Sequence, residues 1–405
     1  MAYTRSDVAL LFVARSVRLF AYGALSVVLA LYLHEIGLSG VLIGLLFTLT
    51  LAGDAVITLW ITTTADHAYV RGRKKMLLLG AGLMVLAGVV FSLTGNPPVL
   101  IIAGIIGVIS PSGNEIGPFL SLEHAALSQL LPAEQRTRAF AWYNVAGSLA
   151  AASGALAGGL LSKLIVSAGY TELLSYRAVI VQYAACGIIL AALFLFLSPG
   201  VEAKPASRAV ARVFGLHQSR GVVLKLSALF ALDAFAGGFV IQSMVAYWFH
   251  IRFGVDAALL GSIFFGANIL AGLSALFAIR LANRFGLINT MVFSHIPSNV
   301  LLCLVPLMPN LALAVTVLLL RFSISQMDVP TRQSYTMAVV APDERSAASG
   351  VTTIARSIGA AFSPALTGVF LATPALLAAP FLVSGGLKIV YDLLLYRSFR
   401  KADVK

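Results

Sequence analysis

Twelve ionisable side chains lie inside long apolar runs of this 405-residue chain: Arg15, Arg18, Arg321, Arg332, Arg356 and Lys388, with Asp54, Glu115, Glu123, Asp233, Asp328 and Asp392. A charge at the bilayer centre costs at least about 2.5 to 3.5 kcal/mol on insertion scales, so each needs a partner or a ligand. Two kinds of chemistry suit them. An arginine fork binds carboxylates and other anions, and a carboxylate in apolar surroundings can carry a proton near neutral pH. Enzyme chemistry fits poorly. There is no Walker-type phosphate loop, and the histidines at 34, 67, 124, 217, 250 and 295 have no zinc-ligand spacing. No nucleophile-base pair stands out, and neither a cofactor nor a metal is expected.

Helices must carry these residues. Apolar residues make up 59% of the chain and charged ones 11%, against roughly 25% charged in soluble domains. Runs of about 20 apolar residues cross the hydrocarbon as helices. The sequence predicts twelve of them: 8 to 33, 40 to 63, 76 to 95, 99 to 131, 138 to 162, 175 to 198, 223 to 249, 257 to 280, 289 to 308, 310 to 341, 346 to 371 and 375 to 396. No segment alternates with the period of two that a membrane barrel needs. The first run is longer than a signal-peptide core and reads as a retained helix. Cys186 and Cys303 fall inside apolar runs, and no disulfide is implied.

Lys and Arg collect in alternate gaps between the runs. With the N-terminus cytoplasmic, 19 of the 28 basic residues fall inside and three (Lys163, Arg177, Arg252) outside. This places both termini in the cytoplasm of a plasma (inner) membrane. The net charge of +12 then reflects contact with anionic lipid and calls for no nucleic acid.

Residues 199–222 form the longest polar interruption, with Pro205 and several basic residues, and divide the chain into bundles at 1–198 and 223–405. The halves resemble each other. A shift of 217 residues matches Gly37 to Gly254, Leu42 to Leu259 and Gly44 to Gly261, and lays Asp66 over Asn283; a shift of about 210 lays 131–142 over 341–352. Duplicated six-helix units are common among secondary transporters.

With its six helices, linker and six helices, and with Asp66, Arg71, Gly72, Arg73 and Lys74 between the second and third runs, the chain resembles the major facilitator superfamily. His67 to Val70 lengthen the usual spacing of that turn. The resemblance implies an all-α integral membrane protein whose twelve transmembrane helices form two pseudo-symmetric bundles. It also implies a path lined by runs one, four, seven and ten, which hold most of the embedded charges. Asp66, Arg71 and Arg73 would latch the cytoplasmic side, since a carboxylate beside guanidinium groups can hold two helix ends together.

The fourth and tenth runs are irregular, at Ser110–Pro118 and around Pro330. Backbone groups freed by proline are tolerated at membrane depth only where protein or a water-filled cavity satisfies them, so these breaks point to a site. Candidate solute contacts are Arg18, Asn114, Gln242, Arg321 and Arg356. Arg18 and Arg321 suit an anion or an internal salt bridge equally, and Arg356 an anion or a gate brace. Glu115 is the first choice for a proton carrier, with a permanent salt bridge as its alternative; Glu123 with His124, and then Asp233, follow. Asp328 and Arg332, four residues apart, read as a structural or gating pair. Lys388 and Asp392 have the same spacing and read as another.

Gly147, Gly154, Gly158 and Gly159 in the fifth run resemble the fifth-helix pattern of proton-coupled exporters, although its Gly-Pro pair is missing. Close packing explains them as well. The expectation is a monomeric, proton-coupled secondary transporter of a small polar or anionic solute, with efflux favoured over import. Export of drugs or cations is the alternative within transport, and a membrane sensor or enzyme the alternative outside it.

Overall fold

The computed structural model describes residues 2–65, 72–113, 119–202, 217–341 and 344–400, and among them regular structure is helical throughout. Asp66, Arg71, Asn114 and Glu115 lie outside the described residues. Nine runs are single helices: α1 (Ala2–Glu35), α2 (Gly40–Ala65), α3 (Arg73–Leu93), α6 (Ala133–Ser167), α7 (Glu172–Leu195), α10 (Ala257–Phe285), α11 (Leu287–Leu304), α14 (Arg345–Leu371) and α15 (Ala379–Phe399). Three runs are split. The fourth comprises α4 (Pro97–Ile106) and α5 (Phe119–Leu130), the seventh α8 (Arg220–Gly238) and α9 (Gln242–Phe253), and the tenth α12 (Leu311–Phe322) and α13 (Asp328–Ala338).

Helices satisfy their own backbone groups in lipid; a break leaves some unsatisfied. Each break here has a side chain supplying a missing partner. The Tyr183 hydroxyl donates to the Val108 carbonyl after α4. Thr367 Oγ1 donates to the Phe239 carbonyl after α8, at 3.0 Å. The Gln326 N–H before α13 donates to Ser274 Oγ at 3.2 Å. Pro330 falls within the first turn of α13, where its missing N–H does least harm. The split of the seventh run was not expected from sequence, because it contains no proline and its glycines look like packing residues.

The chain divides into two compact units. The first comprises Met1–Leu38, Leu49–Ala209 and Val245–Phe265; the second comprises Ser39–Thr48, Val210–Met244 and Gly266–Lys405. The apolar window of α1, in the first unit, is 83% buried, against 28% for that of α10. The opening span is thus an interior helix.

Glycine sets how closely the helices cross. A Cβ on Gly154 of α6 would overlap the Phe20 carbonyl oxygen of α1, and one on Gly23 of α1 would overlap that of Ala151. The second unit repeats this between α8 and α14, where a Cβ on Gly359 would overlap the Ala231 carbonyl oxygen. Gly37 and Gly254, matched by the sequence repeat, both have positive φ, +90° and +66°, which suits glycine. Packing accounts for the fifth-run glycines: Gly154 and Gly158 meet α1, and Gly159 meets α10.

Carboxylates hold the polar ends. Glu344 accepts the backbone N–H groups of His217, Gln218 (2.9 Å) and Ser219 (2.8 Å) ahead of α8. Burial works against its charge, but the Ser219 hydroxyl and these N–H groups prevail and hold the carboxyl down at about 2, from an ordinary 4.5. A carboxyl held low contributes stability above its ordinary range and loses it as pH falls through the folded value. Amide protection at residues 217–219 should therefore drop as pH is lowered from 4.5 toward 2. In Glu344→Gln it should be weak already at neutral pH. Protection in the wild type that is indifferent to pH over that window would contradict this role.

Candidate functional site

The second unit pairs embedded polar and charged groups from four helices, α8, α11, α13 and α15. Asp233 on α8 accepts from Lys388 Nζ of α15 at 2.6 Å and from Arg332 Nη1 of α13 at 3.1 Å. Arg332 also holds Asp328, one turn earlier on α13, at 3.0 Å. Beside them, Asp392 of α15 meets His295 Nδ1 at 2.9 Å and Asn299 Nδ2 at 3.1 Å, both on α11. Asp233, Asp328 and Arg332 are each no more than 5% exposed, and Asp392 is fully buried. Pairing of this kind offsets desolvation without adding much net stability, so it is better read as positioning charge than as holding the fold together.

Four cations, Arg321, Arg332, Arg356 and Lys388, stand here against three carboxylates. Arg332 and Lys388 take the ion pairs. Arg356 on α14 has no carboxylate within 4.0 Å among the described residues, although it feels the charges of Arg332, Asp233 and Asp328. Arg321, at the end of α12, likewise has no described ion pair; its guanidinium lies 5.0 Å from the Phe322 ring centroid and its Nε is buried without a hydrogen-bond partner.

The first unit has a smaller, closed arrangement. Arg18 of α1 and Glu123 of α5, both with no exposed surface, form a two-pronged salt bridge with both bonds at 2.7 Å. Tyr143 of α6 adds a hydroxyl donor to Glu123. The Arg18 guanidinium lies 4.5 Å from the Phe119 ring centroid, and that of Arg15 lies 4.3 Å from the Tyr143 centroid while donating to Asn144 at 3.2 Å. His124 packs between Phe140 and Tyr143, with ring centroids 4.8 and 5.7 Å away. Arg18 thus has an internal salt bridge, one of the two partners its sequence context suited.

Other candidates are dispersed. Gln242, at the start of α9, accepts from Asn268 of α10 at 3.3 Å. Arg73 ties α3 to its own unit, donating to Gln129 Oε1 at 3.2 Å and to the Val201 carbonyl at 3.3 Å. The latch partners Asp66 and Arg71, and the pair Asn114 and Glu115, lie outside the described residues.

One pairing needs correction. Lys388 and Asp392 do not neutralise each other; each turns to another helix, because α8 places Asp233 beside the lysine and α11 places His295 and Asn299 beside the aspartate. Sequence reasoning noted His295 only as one of six histidines without zinc-ligand spacing and passed over Asn299. Their spacing of four within an apolar run was an available signal, since it puts both on one helix face.

The fold has counterparts among known proteins. The Major Facilitator Superfamily profile matches residues 11–364. The chain belongs to the major facilitator superfamily. This superfamily member is 30% identical over 430 residues to an uncharacterized membrane protein of Saccharomyces cerevisiae, YJR124C, covering 98% of this chain and 95% of that one. Its fold is similar to that of a bacterial homolog of the human lysosomal transporter Spinster, in an inward-facing, occupied conformation: TM-score 0.77, 16% identity, 99% of this chain and 97% of the other. It is also similar to a D-xylose-proton symporter, with TM-score 0.73, 15% identity and 98% of both chains covered. The protein is a multi-pass membrane transporter of this superfamily, not an enzyme.

Proposed function

We propose that this transporter moves a small polar or anionic organic solute by proton-coupled alternating access, with Arg356 and Arg321 holding the solute's anionic group. The observation that carries the reading is the surplus of embedded cations in the second unit: Arg332 and Lys388 are engaged by carboxylates, while Arg356 and Arg321 have none within 4.0 Å among the described residues. An unpaired guanidinium in a low-dielectric site is costly until an anion binds, so its position favours a charged solute.

The bundles at 1–198 and 223–405, joined by 199–222, would rock about this region as a monomer, with both termini in the cytoplasm of a plasma (inner) membrane. Asn114, Gln242 and Arg18 are proposed to border the solute. Asp66, Arg71, Arg73, Asp328 and Arg332 are assigned to gating. Glu115 remains the proposed proton carrier, ahead of Glu123, His124 and Asp233, because Arg18 holds both Glu123 oxygens and two cations hold Asp233. Efflux rested on the α6 glycines, which packing explains; the sign of the flux decides direction.

The test is reconstitution in liposomes that enclose a pH dye, with organic anions, sugars and lipophilic cations added one at a time. An organic anion should drive proton movement, and Arg356→Gln should reduce it by about tenfold or more, the loss expected for a charge-assisted contact, in protein that still elutes as a folded monomer. Full flux in that variant would remove Arg356 from the site, and a response confined to lipophilic cations would favour the drug-export reading.

A further inference from the structure

Asp392, His295 and Asn299 stand apart from the ion pairs of Lys388 and Arg332. They lie in a polar seam where α11 and α15 run antiparallel, His295 meeting Asp392 and, two turns on, Cys303 meeting the Phe381 carbonyl. On α15, Ser384, Lys388 and Asp392 recur every four residues; on α11, His295, Ser298 and Asn299 share one face. All six are buried. Asn299 Oδ1, Ser298 Oγ and Ser384 Oγ have no hydrogen-bond partner among the described residues. Buried polar atoms are satisfied by protein or by ordered water, so this seam calls for water, and water conducts protons.

The charges in the seam differ in kind. Lys388 is turned to Asp233, and Arg332 to Asp233 and Asp328. Within 4.0 Å, the cation that Asp392 meets among the described residues is His295, at 2.9 Å. Lysine and arginine keep their charge, whereas an imidazole gains and loses its charge near neutral pH. The Asp392 carboxylate is therefore answered by a full positive charge only when His295 is protonated. Because Asp392 accepts at Nδ1, that nitrogen carries its hydrogen in both states, and the exchangeable proton belongs on Nε2.

The other embedded titratable groups on the helices around the pair are Lys388 and Tyr391 on α15, Asp233 on α8, Asp328, Arg332 and Tyr335 on α13, Arg321 on α12 and Arg356 on α14. With His295 neutral, four cations face three carboxylates, counting Asp392, a surplus of one; a proton on His295 makes it two. Asp233 feels the charge of His295, and Arg356 feels that of Asp233. An anion near Arg356 would offset the added charge, so proton and anion would each favour the other's binding.

We propose that His295, with Asp392 as its counter-charge, is a proton-binding site separate from Glu115, and that its proton is taken up together with the solute's anion. The site follows from the geometry of the pair; its coupling to an anion rests on the transport reading above. The experiment is histidine-selective nitrogen NMR of the full-length protein in detergent, with His295→Gln identifying the resonance by its loss. In the wild type that resonance should pass from the neutral to the protonated form between about pH 5 and 8. In Asp392→Asn the transition should move to lower pH by about one to three units, the effect of losing an opposite charge at contact distance. A wild-type resonance that keeps one form across the window would overturn the proposal, as would an unmoved transition in Asp392→Asn. In liposomes, proton movement driven by benzoate or citrate should be lost in His295→Gln, and full movement in that variant would overturn the coupling. Absence of such movement in the wild type, beside a His295 transition, would count against the transport reading and leave the proton site standing.

Discussion

Asp233→Asn should be the most damaging single change to the embedded charges. Asp233 holds Lys388 at 2.6 Å and Arg332 at 3.1 Å, and no other described carboxylate lies within 4.0 Å of Lys388. Neutralising it leaves an ammonium uncompensated in a low-dielectric interior, while Arg332 keeps Asp328. Breaking a buried pair from one side costs about 3–5 kcal/mol, so a clear fall in melting temperature and loss of flux are expected. A second substitution, Lys388→Met, removes the stranded charge at similar volume. The double variant should therefore regain most of the stability but not the flux. If the two substitutions simply added, the pair would not be coupled and the geometry would have been misread.

The second large effect concerns close approach. Gly44 of α2 lies so near α14 that a Cβ would overlap the Pro364 carbonyl oxygen, and Gly261 of α10 lies as near the Ala155 carbonyl of α6. The two glycines correspond in the sequence repeat, and each sits in a segment, Ser39–Thr48 or Val245–Phe265, that joins the unit built mostly from the other half of the sequence. A path that opens to alternate sides requires such crossings to part and form again. Gly44→Val and Gly261→Val should obstruct the re-forming and cut flux by about tenfold or more, the factor of a barrier raised by roughly 1.4 kcal/mol. The cost in stability should be about 1–3 kcal/mol, as for overpacking elsewhere. Liposome flux and melting temperature measured on the same preparations check this. Wild-type flux in both variants would show that the close approach is dispensable.

What the sequence conveyed and what it withheld follow from the range of each interaction. Hydropathy located the crossings because each span satisfies its own backbone. Proline marked the interruptions of the fourth and tenth runs because its chemistry acts on the adjacent turn. The Asp328–Arg332 pair was legible because one turn of one helix carries both. Lys388 was misassigned by the same rule: its spacing to Asp392 is equally good, but Asp233, 155 residues away, lies closer in space. Pairings between helices depend on their relative register and rotation, which no local pattern encodes. The Arg18–Glu123 bridge, spanning 105 residues, was accordingly left open beside an anion contact. The break between α8 and α9 escaped notice because it is supported by Thr367, far along the chain.

The same long separations constrain how the protein is made. Asp233 enters the membrane with α8, yet Arg332 is 99 residues further on and Lys388 is 155. Domains emerge during synthesis at roughly 5–20 residues per second, so α8 must wait on the order of 10 to 30 seconds for its final counter-charge. Until Arg332 follows, its carboxylate must be protonated, face water, or borrow a partner from the insertion machinery, and until Lys388 follows it has one of its two counter-charges. Nascent chains stalled before residue 332 should therefore expose α8, with its carboxylate uncompensated, to membrane quality control.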